Sequence, residues 1–136
     1  MKIVLDTNVY ASAFLFGGKP RRIVEHALEG KYEICLSEAM LIELEGVLRR
    51  PKFGLDPEIV RTLIIAITEI PEMVVPLRRH RIVKSDPEDN MIIDCAAAAG
   101  ADFIVSGDAH LLDLGKFGKT GILNPDEFIA ALKLSL

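Results

Sequence analysis

The residues best suited to chemistry are acids that follow short apolar runs. Lys2-Ile3-Val4-Leu5 ends on Asp6-Thr7-Asn8, and Phe103-Ile104-Val105 ends on Ser106-Gly107-Asp108. A short β-branched run bounded by polar and glycine residues reads as a buried parallel strand. In open α/β sheets, ligands bind just past the carboxyl ends of such strands. Asp6 and Asp108 are therefore expected at one end of a sheet, where an ionised side chain needs partners to offset its burial. Asp6 has a structural alternative as a helix cap, but Thr7 or Asn8 would cap equally well, which favours a chemical role. Asp108 has the same alternative, as N-cap of a short segment 109–112. Ser106 can donate a hydrogen bond to a neighbouring carboxylate or to water.

Two further acids fall on inward or border positions of helices. Asp89 shares a face with Ile92, Ile93 and Ala96, in a first turn where the helix dipole favours a carboxylate. Asp86, Pro87 and Asp89 also match N-cap, N1 and N3, so capping alone accounts for both acids. Asn90 and Asp94 lie one turn apart on a neighbouring face, and either offers a ligand oxygen. Glu43 borders the apolar stripe of the helix after strand two, beside Val47, and can lean toward strand one. Glu38 and Glu45 lie on another, solvated side. If strands one and four are neighbours, Asp6 and Asp108 meet where the winding reverses. Asp89 then arrives from the helix before strand four and Glu43 from the helix after strand two. Carboxylates gathered this closely repel one another unless a cation neutralises them. Oxygen ligands without clustered Cys or His select Mg²⁺ or Mn²⁺ over zinc. Such an ion activates water and clamps a phosphate for in-line displacement.

The elements that must position these groups alternate in type. Strand one covers residues 2–5, and a short helix covers Val9 to Phe16 until Gly17-Gly18 breaks it. Pro20 opens a second helix with Ile23, Val24, Ala27 and Leu28 on one face and Gly30 at its end. Residues 32–36 read as strand two. Ser37 caps the next helix, striped by Met40, Leu41, Leu44, Val47 and Leu48 and stopped before Pro51. Asp56-Pro57-Glu58 opens an aliphatic helix over 57–70, which Pro71 ends. Residues 73–75 form a short third strand. A dense basic run follows, Arg78-Arg79-His80-Arg81 with Lys84. Asp86 through Ala99 is helical, with Gly100 after it. Strand four is 103–105 and strand five 121–123. Asn124-Pro125 caps a last helix that turns Phe128, Ile129 and Leu132 inward. This alternation implies right-handed βαβ crossovers and a three-layer α/β/α architecture.

Bulk properties agree with that architecture. A length of 136 residues suggests a single domain over 1–136 that can bury one core without disulfides or structural zinc. Half the residues are hydrophobic and only 6% aromatic, as expected for aliphatic helices packed on a parallel sheet. The net charge of −4 argues against broad coating of nucleic acid. It leaves room for a nucleic-acid enzyme whose bound cations restore charge locally. Cys35 and Cys95 form no CxxC pair and read as buried reduced thiols. With no apolar run suited to a signal peptide or a bilayer span, the cytoplasm is the default location.

In the order and spacing of these motifs the chain resembles the PIN-domain family of metal-dependent ribonucleases, over essentially its whole length. The carrying residues are Val4-Leu5-Asp6-Thr7-Asn8, Ser37 leading to Glu43, Asp86-Pro87-Glu88-Asp89-Asn90, and Ala101-Asp102-Phe103-Ile104-Val105-Ser106-Gly107-Asp108. Among PIN domains it looks most like the toxins of prokaryotic toxin–antitoxin pairs. The resemblance implies a central five-stranded parallel sheet with strand one at its centre. It implies Asp6, Glu43, Asp89 and Asp108 as the catalytic acids that bind Mg²⁺ or Mn²⁺; Asn8, Asn90 and Ser106 are supporting candidates read from the residues themselves. The resemblance further implies an endoribonuclease leaving a 5′-phosphate, a homodimer, and a small antitoxin partner. The chain departs from the family at one point: the third acid commonly stands where this sequence has Asn90. Asp89 is taken as its replacement, with Asp94 as a second candidate ligand. Arg78, Arg79, Arg81 and Lys84 are candidates for RNA phosphates, as are Arg49, Arg50 and Lys52, although a solvated charge run is the commoner explanation.

Two other classes compete. Aspartyl phosphatases also place an Asp after strand one, but they carry a second Asp two positions on, where this chain has Asn8. A PIN-like module that binds RNA or protein without cutting would not need an intact acid set.

Overall fold

In a computed structural model, which describes residues 1–77 and 87–135, the layering follows from alternation inside the strands. Ile3 and Leu5 join the core on one side of the sheet and Val4 the core on the other, and all three are fully buried. A strand buried on both faces belongs at the centre of a sheet covered on both sides.

The chain runs β1 (Lys2–Leu5), α1 (Thr7–Leu15), α2 (Gly18–Leu28), β2 (Glu33–Ser37), α3 (Glu38–Leu48), a 3₁₀ turn (Pro51–Phe53), α4 (Pro57–Thr68), β3 (Glu72–Val74), α5 (Pro87–Ala99), β4 (Phe103–Val105), α6 (Ala109–Leu114), β5 (Lys116–Phe117), β6 (Thr120–Leu123) and α7 (Pro125–Leu132). The sheet order is β3-β2-β1-β4-β6-β5. Every pairing is parallel except that of β5 with β6. Ile3, Leu5, Ile34 and Val105 face a core built with α1, α2, α3, α4 and α7. Val4, Cys35, Leu36, Ile104 and Ile122 face a second core built with α5 and α6, to which Met40 of α3 also contributes.

The expected three-layer α/β/α fold is therefore present, with six strands among the described residues where five were expected. The addition is β5, whose two residues pair antiparallel with β6 and carry no periodicity that a sequence pattern could reveal. Smaller shifts occur at element ends. The strand expected at 32–36 covers Glu33–Ser37, and that expected at 73–75 covers Glu72–Val74. Tyr32 instead turns into the core and donates to Ile23 O at 2.6 Å. The second helix starts at Gly18, ahead of Pro20.

Local chemistry fixes the helix ends. Ser37 Oγ accepts from Met40 N at 3.3 Å and starts α3. Asn124 and Glu127 form a reciprocal capping box on α7. Gly30, at φ +85°, ends α2: its N–H reaches Ala27 O while Lys31 N–H reaches His26 O. Helix α4 is not enclosed, since Ile59 and Ile65 stand exposed while Val60 and Ile67 are buried. Both cysteines are buried and unpaired. Burial pushes the Cys35 thiol up to about 11 and the Cys95 thiol up to about 12. The basic run Arg78, Arg79, Arg81 and Lys84, and the expected cap Asp86, lie outside the described residues.

Candidate metal centre

The junction of β1 with β4 is where the sheet changes winding direction, β2 and β3 lying to one side and β6 and β5 to the other. Leu5 and Val105 are partners in register, and Asp6 N–H extends the ladder onto Val105 O at 2.9 Å. The next residues along the two strands, Asp6 and Ser106, are therefore side by side. Ser106 Oγ donates to Asp6 Oδ2 at 2.7 Å, with Asp6 4% exposed and Ser106 fully buried. Asp6 Oδ1 accepts from Asn8 N at 2.9 Å and caps α1. Ser106 Oγ also accepts the Asp108 N–H at 3.0 Å.

Asp108 in turn caps α6. Its Oδ1 accepts from His110 N at 2.8 Å and from Leu111 N at 3.2 Å. Both cap bonds fall on the same oxygen, so Oδ2 is not committed to the helix. The structural and chemical readings of Asp6 and Asp108 are thus compatible, because capping sets the direction in which each carboxylate points. Both acids line one cavity of about 410 Å³, together with Asn8 and Gly107.

Asp89, 4% exposed on α5, approaches Asp108. One ligand atom each from Asp89, Asp108 and His110 lie within 4.8 Å of one another. Ligands on opposite sides of a small divalent ion, each roughly 2.1 Å from it, stand about 4.2 Å apart. Two carboxylates and an imidazole at this spacing therefore fit a divalent cation with little movement. Asp94 is half-buried and is not part of this group. Asn90 is half-buried, and Asn8 is exposed and contributes its backbone N–H.

Glu43 lies on α3. It is half-buried and lines a separate hollow of about 440 Å³ with Ile42, Gly46, Arg50 and Met91. The two hollows have no lining residue in common. The chain thus brings Asp6 to Asp108 through Ser106, and brings Asp89 within ligand spacing of Asp108. Among the other basic candidates, Arg49 pairs with Glu45 at 3.4 Å, and Lys52 sits 5.1 Å over the Phe53 ring.

His110, which was not among the sequence candidates, joins this group. The expectation of an oxygen-only ligand set passed over it, yet its Nδ1 lies 3.8 Å from Asp108 Oδ1. The signal was the pattern Asp108-Ala109-His110: a capping Asp draws in the N–H of the residue two positions on, and that residue's side chain follows.

A model of the PIN domain family matches residues 2–110. No curated protein matches the sequence. Solved structures that share the fold include two VapBC proteins. One is VapBC2 from Rickettsia felis bound to a DNA fragment from their promoter, with TM-score 0.66 and 18% identity, covering 91% of this chain and 98% of that one. The other is VapBC-1 from nontypeable Haemophilus influenzae, with TM-score 0.61 and 17% identity, covering 93% of this chain and 99% of that one. No helix among the described residues is long and apolar enough to cross a membrane.

Proposed function

This chain belongs to the PIN domain family, and from that premise we propose that it is a Mg²⁺- or Mn²⁺-dependent endoribonuclease, acting as one domain over residues 1–136. The observation that carries this reading is the Asp6–Ser106–Asp108 chain of hydrogen bonds at the β1–β4 junction, with Asp89 beside Asp108. Asp6, Asp89 and Asp108 would hold the cation, and Glu43 would reach it from the α3 groove. When bound, the cation supplies positive charge against the scissile phosphate and makes water a better nucleophile.

The protein's own groups prepare the site. Ser106 holds Asp6 Oδ2 in place, and the Asn8 N–H holds Oδ1, so the carboxylate is oriented before RNA arrives. Gly107 has open space where a side chain would stand, which leaves room for a phosphodiester backbone. Arg50, which lines the groove with Glu43, and the run Arg78, Arg79, Arg81 and Lys84 would take up RNA phosphates. Hydrolysis would leave a 5′-phosphate.

We further infer that the protein is the cytoplasmic toxin of a toxin–antitoxin pair, a homodimer restrained by a small antitoxin. Support comes from the fold it shares with the two VapBC structures and from Ile59 and Ile65, exposed on α4 and available to a partner.

The test is cleavage of a mixed RNA pool by purified protein with Mn²⁺, with Mg²⁺ and with EDTA, alongside Asp6→Asn. Metal-dependent cutting that disappears in EDTA and in the variant is the expected result. If wild type and variant bind RNA equally and neither cuts, the protein is a binding module.

A further inference from the structure

We propose that His110 is a nitrogen ligand of the metal centre, which makes the site selective for Mn²⁺ over Mg²⁺. This inference rests on the metal-dependent reading above and deepens it.

Three observations support it. His110 offers a ring nitrogen within 4.8 Å of ligand oxygens on both Asp89 and Asp108. These acids arrive from different elements, Asp89 from α5 and Asp108 from the loop after β4, so the imidazole closes a group with two independent walls. The ring is also held near its position by the backbone. The His110 N–H donates to Asp108 Oδ1 at 2.8 Å, and the Nδ1 of the same residue stands 3.8 Å from that oxygen. At 3.8 Å the imidazole is beside the carboxylate without a short hydrogen bond to it, which suits two ligands of one ion better than a closed pair.

The bland account is an exposed histidine shielding an acid. That account explains the contact with Asp108 but not the convergence of Asp89, which is buried and belongs to another helix. An imidazole ligand has a definite consequence. Mg²⁺ takes oxygen ligands and keeps its waters, whereas Mn²⁺ accepts nitrogen more readily and binds mixed sites more tightly.

The experiment is calorimetric titration of the metal-stripped full chain with Mn²⁺ alone and with Mg²⁺ alone, for wild type, His110→Ala and Asp108→Asn. Electron–nuclear double resonance of the Mn²⁺-loaded forms supplies a second readout. Wild type should prefer Mn²⁺ and show a ¹⁴N coupling. His110→Ala should weaken Mn²⁺ binding by about 10- to 100-fold, the range for removing a group that tunes a metal site. The same variant should leave Mg²⁺ within about twofold and lose the nitrogen coupling, while Asp108→Asn weakens both ions. Unchanged Mn²⁺ affinity in His110→Ala, or no nitrogen coupling in wild type, overturns the assignment of His110 while the metal-dependent nuclease stands. Failure of wild type to bind either ion overturns both.

Discussion

Ser106 Oγ joins the two strand-end acids: it donates to Asp6 Oδ2 at 2.7 Å and accepts the Asp108 N–H at 3.0 Å. A hydroxyl can do both because it carries one donor and two acceptor sites. The bond crosses the β1–β4 junction, so the register of two strands distant in sequence becomes the spacing of two acids.

Ser106→Ala should therefore cost stability as well as activity. The substitution removes both bonds and leaves a buried carboxylate oxygen with one donor fewer, an effect of about 1–3 kcal/mol. Urea unfolding of the metal-free protein would measure the first loss and Mn²⁺-dependent cleavage the second. A variant as stable as wild type would show that water replaces the hydroxyl without penalty.

Asp6→Asn should separate folding from chemistry. Asn is as good an N-cap as Asp, and its side-chain oxygen can still accept from Asn8 N or from Ser106. The metal-free variant should melt within a few degrees of wild type, yet gain less from added metal and cut no RNA. Wild type should gain about 2.7 kcal/mol when Mn²⁺ exceeds its Kd a hundredfold. A wild-type melting temperature that stays flat across such a titration would count against a shared metal site.

Glu43→Gln addresses the acid on α3. If Glu43 serves the metal centre, the variant should keep its stability and lose about 10- to 100-fold in cleavage. Activity equal to wild type would mean that Asp6, Asp89, Asp108 and His110 suffice.

Alkaline stability follows from the buried thiols. Cys35 is raised from 9.0 to about 11 and Cys95 from 9.0 to about 12 by burial. Above pH 9 the unfolded chain releases these protons while the folded chain keeps them, so stability falls as pH rises. The slope should reach about 1.4 kcal/mol per pH unit for each thiol, and it levels off as each folded-state value is passed. Below pH 9 the thiols should contribute no slope. Thermal melts of wild type, Cys35→Ala and Cys95→Ala between pH 8 and 11 would check this, the variants losing part of the slope.

Much of this arrangement was legible in the chain because it depends on local signals. Short apolar strands ending on Asp6 and on Ser106-Gly107-Asp108 marked the ends of β1 and β4, and Ser37 and Asn124 marked helix starts. The adjacency of β1 and β4 could only be posed as a condition, since strand order is a long-range property. Other features were hidden for physical reasons. Strand β5 is too short to carry a pattern, and it exists because Gly118, at φ +56°, turns the chain back onto β6. His110 lies on a helix of six residues, where one histidine has no periodic context. The groove that Glu43 lines with Met91 depends on how α3 packs against α5, which the sequence of α3 does not encode.

The double duty of Asp6 and Asp108, as helix caps and as acids at the strand ends, has a genetic consequence. Asparagine preserves the cap and discards the charge, whereas glutamate preserves the charge but has the wrong reach for the cap. Aspartate codons become asparagine codons by a single-base change. The readiest route to losing the proposed activity therefore yields a chain that still folds, still accumulates, and still offers its outer surfaces to any partner that recognises them.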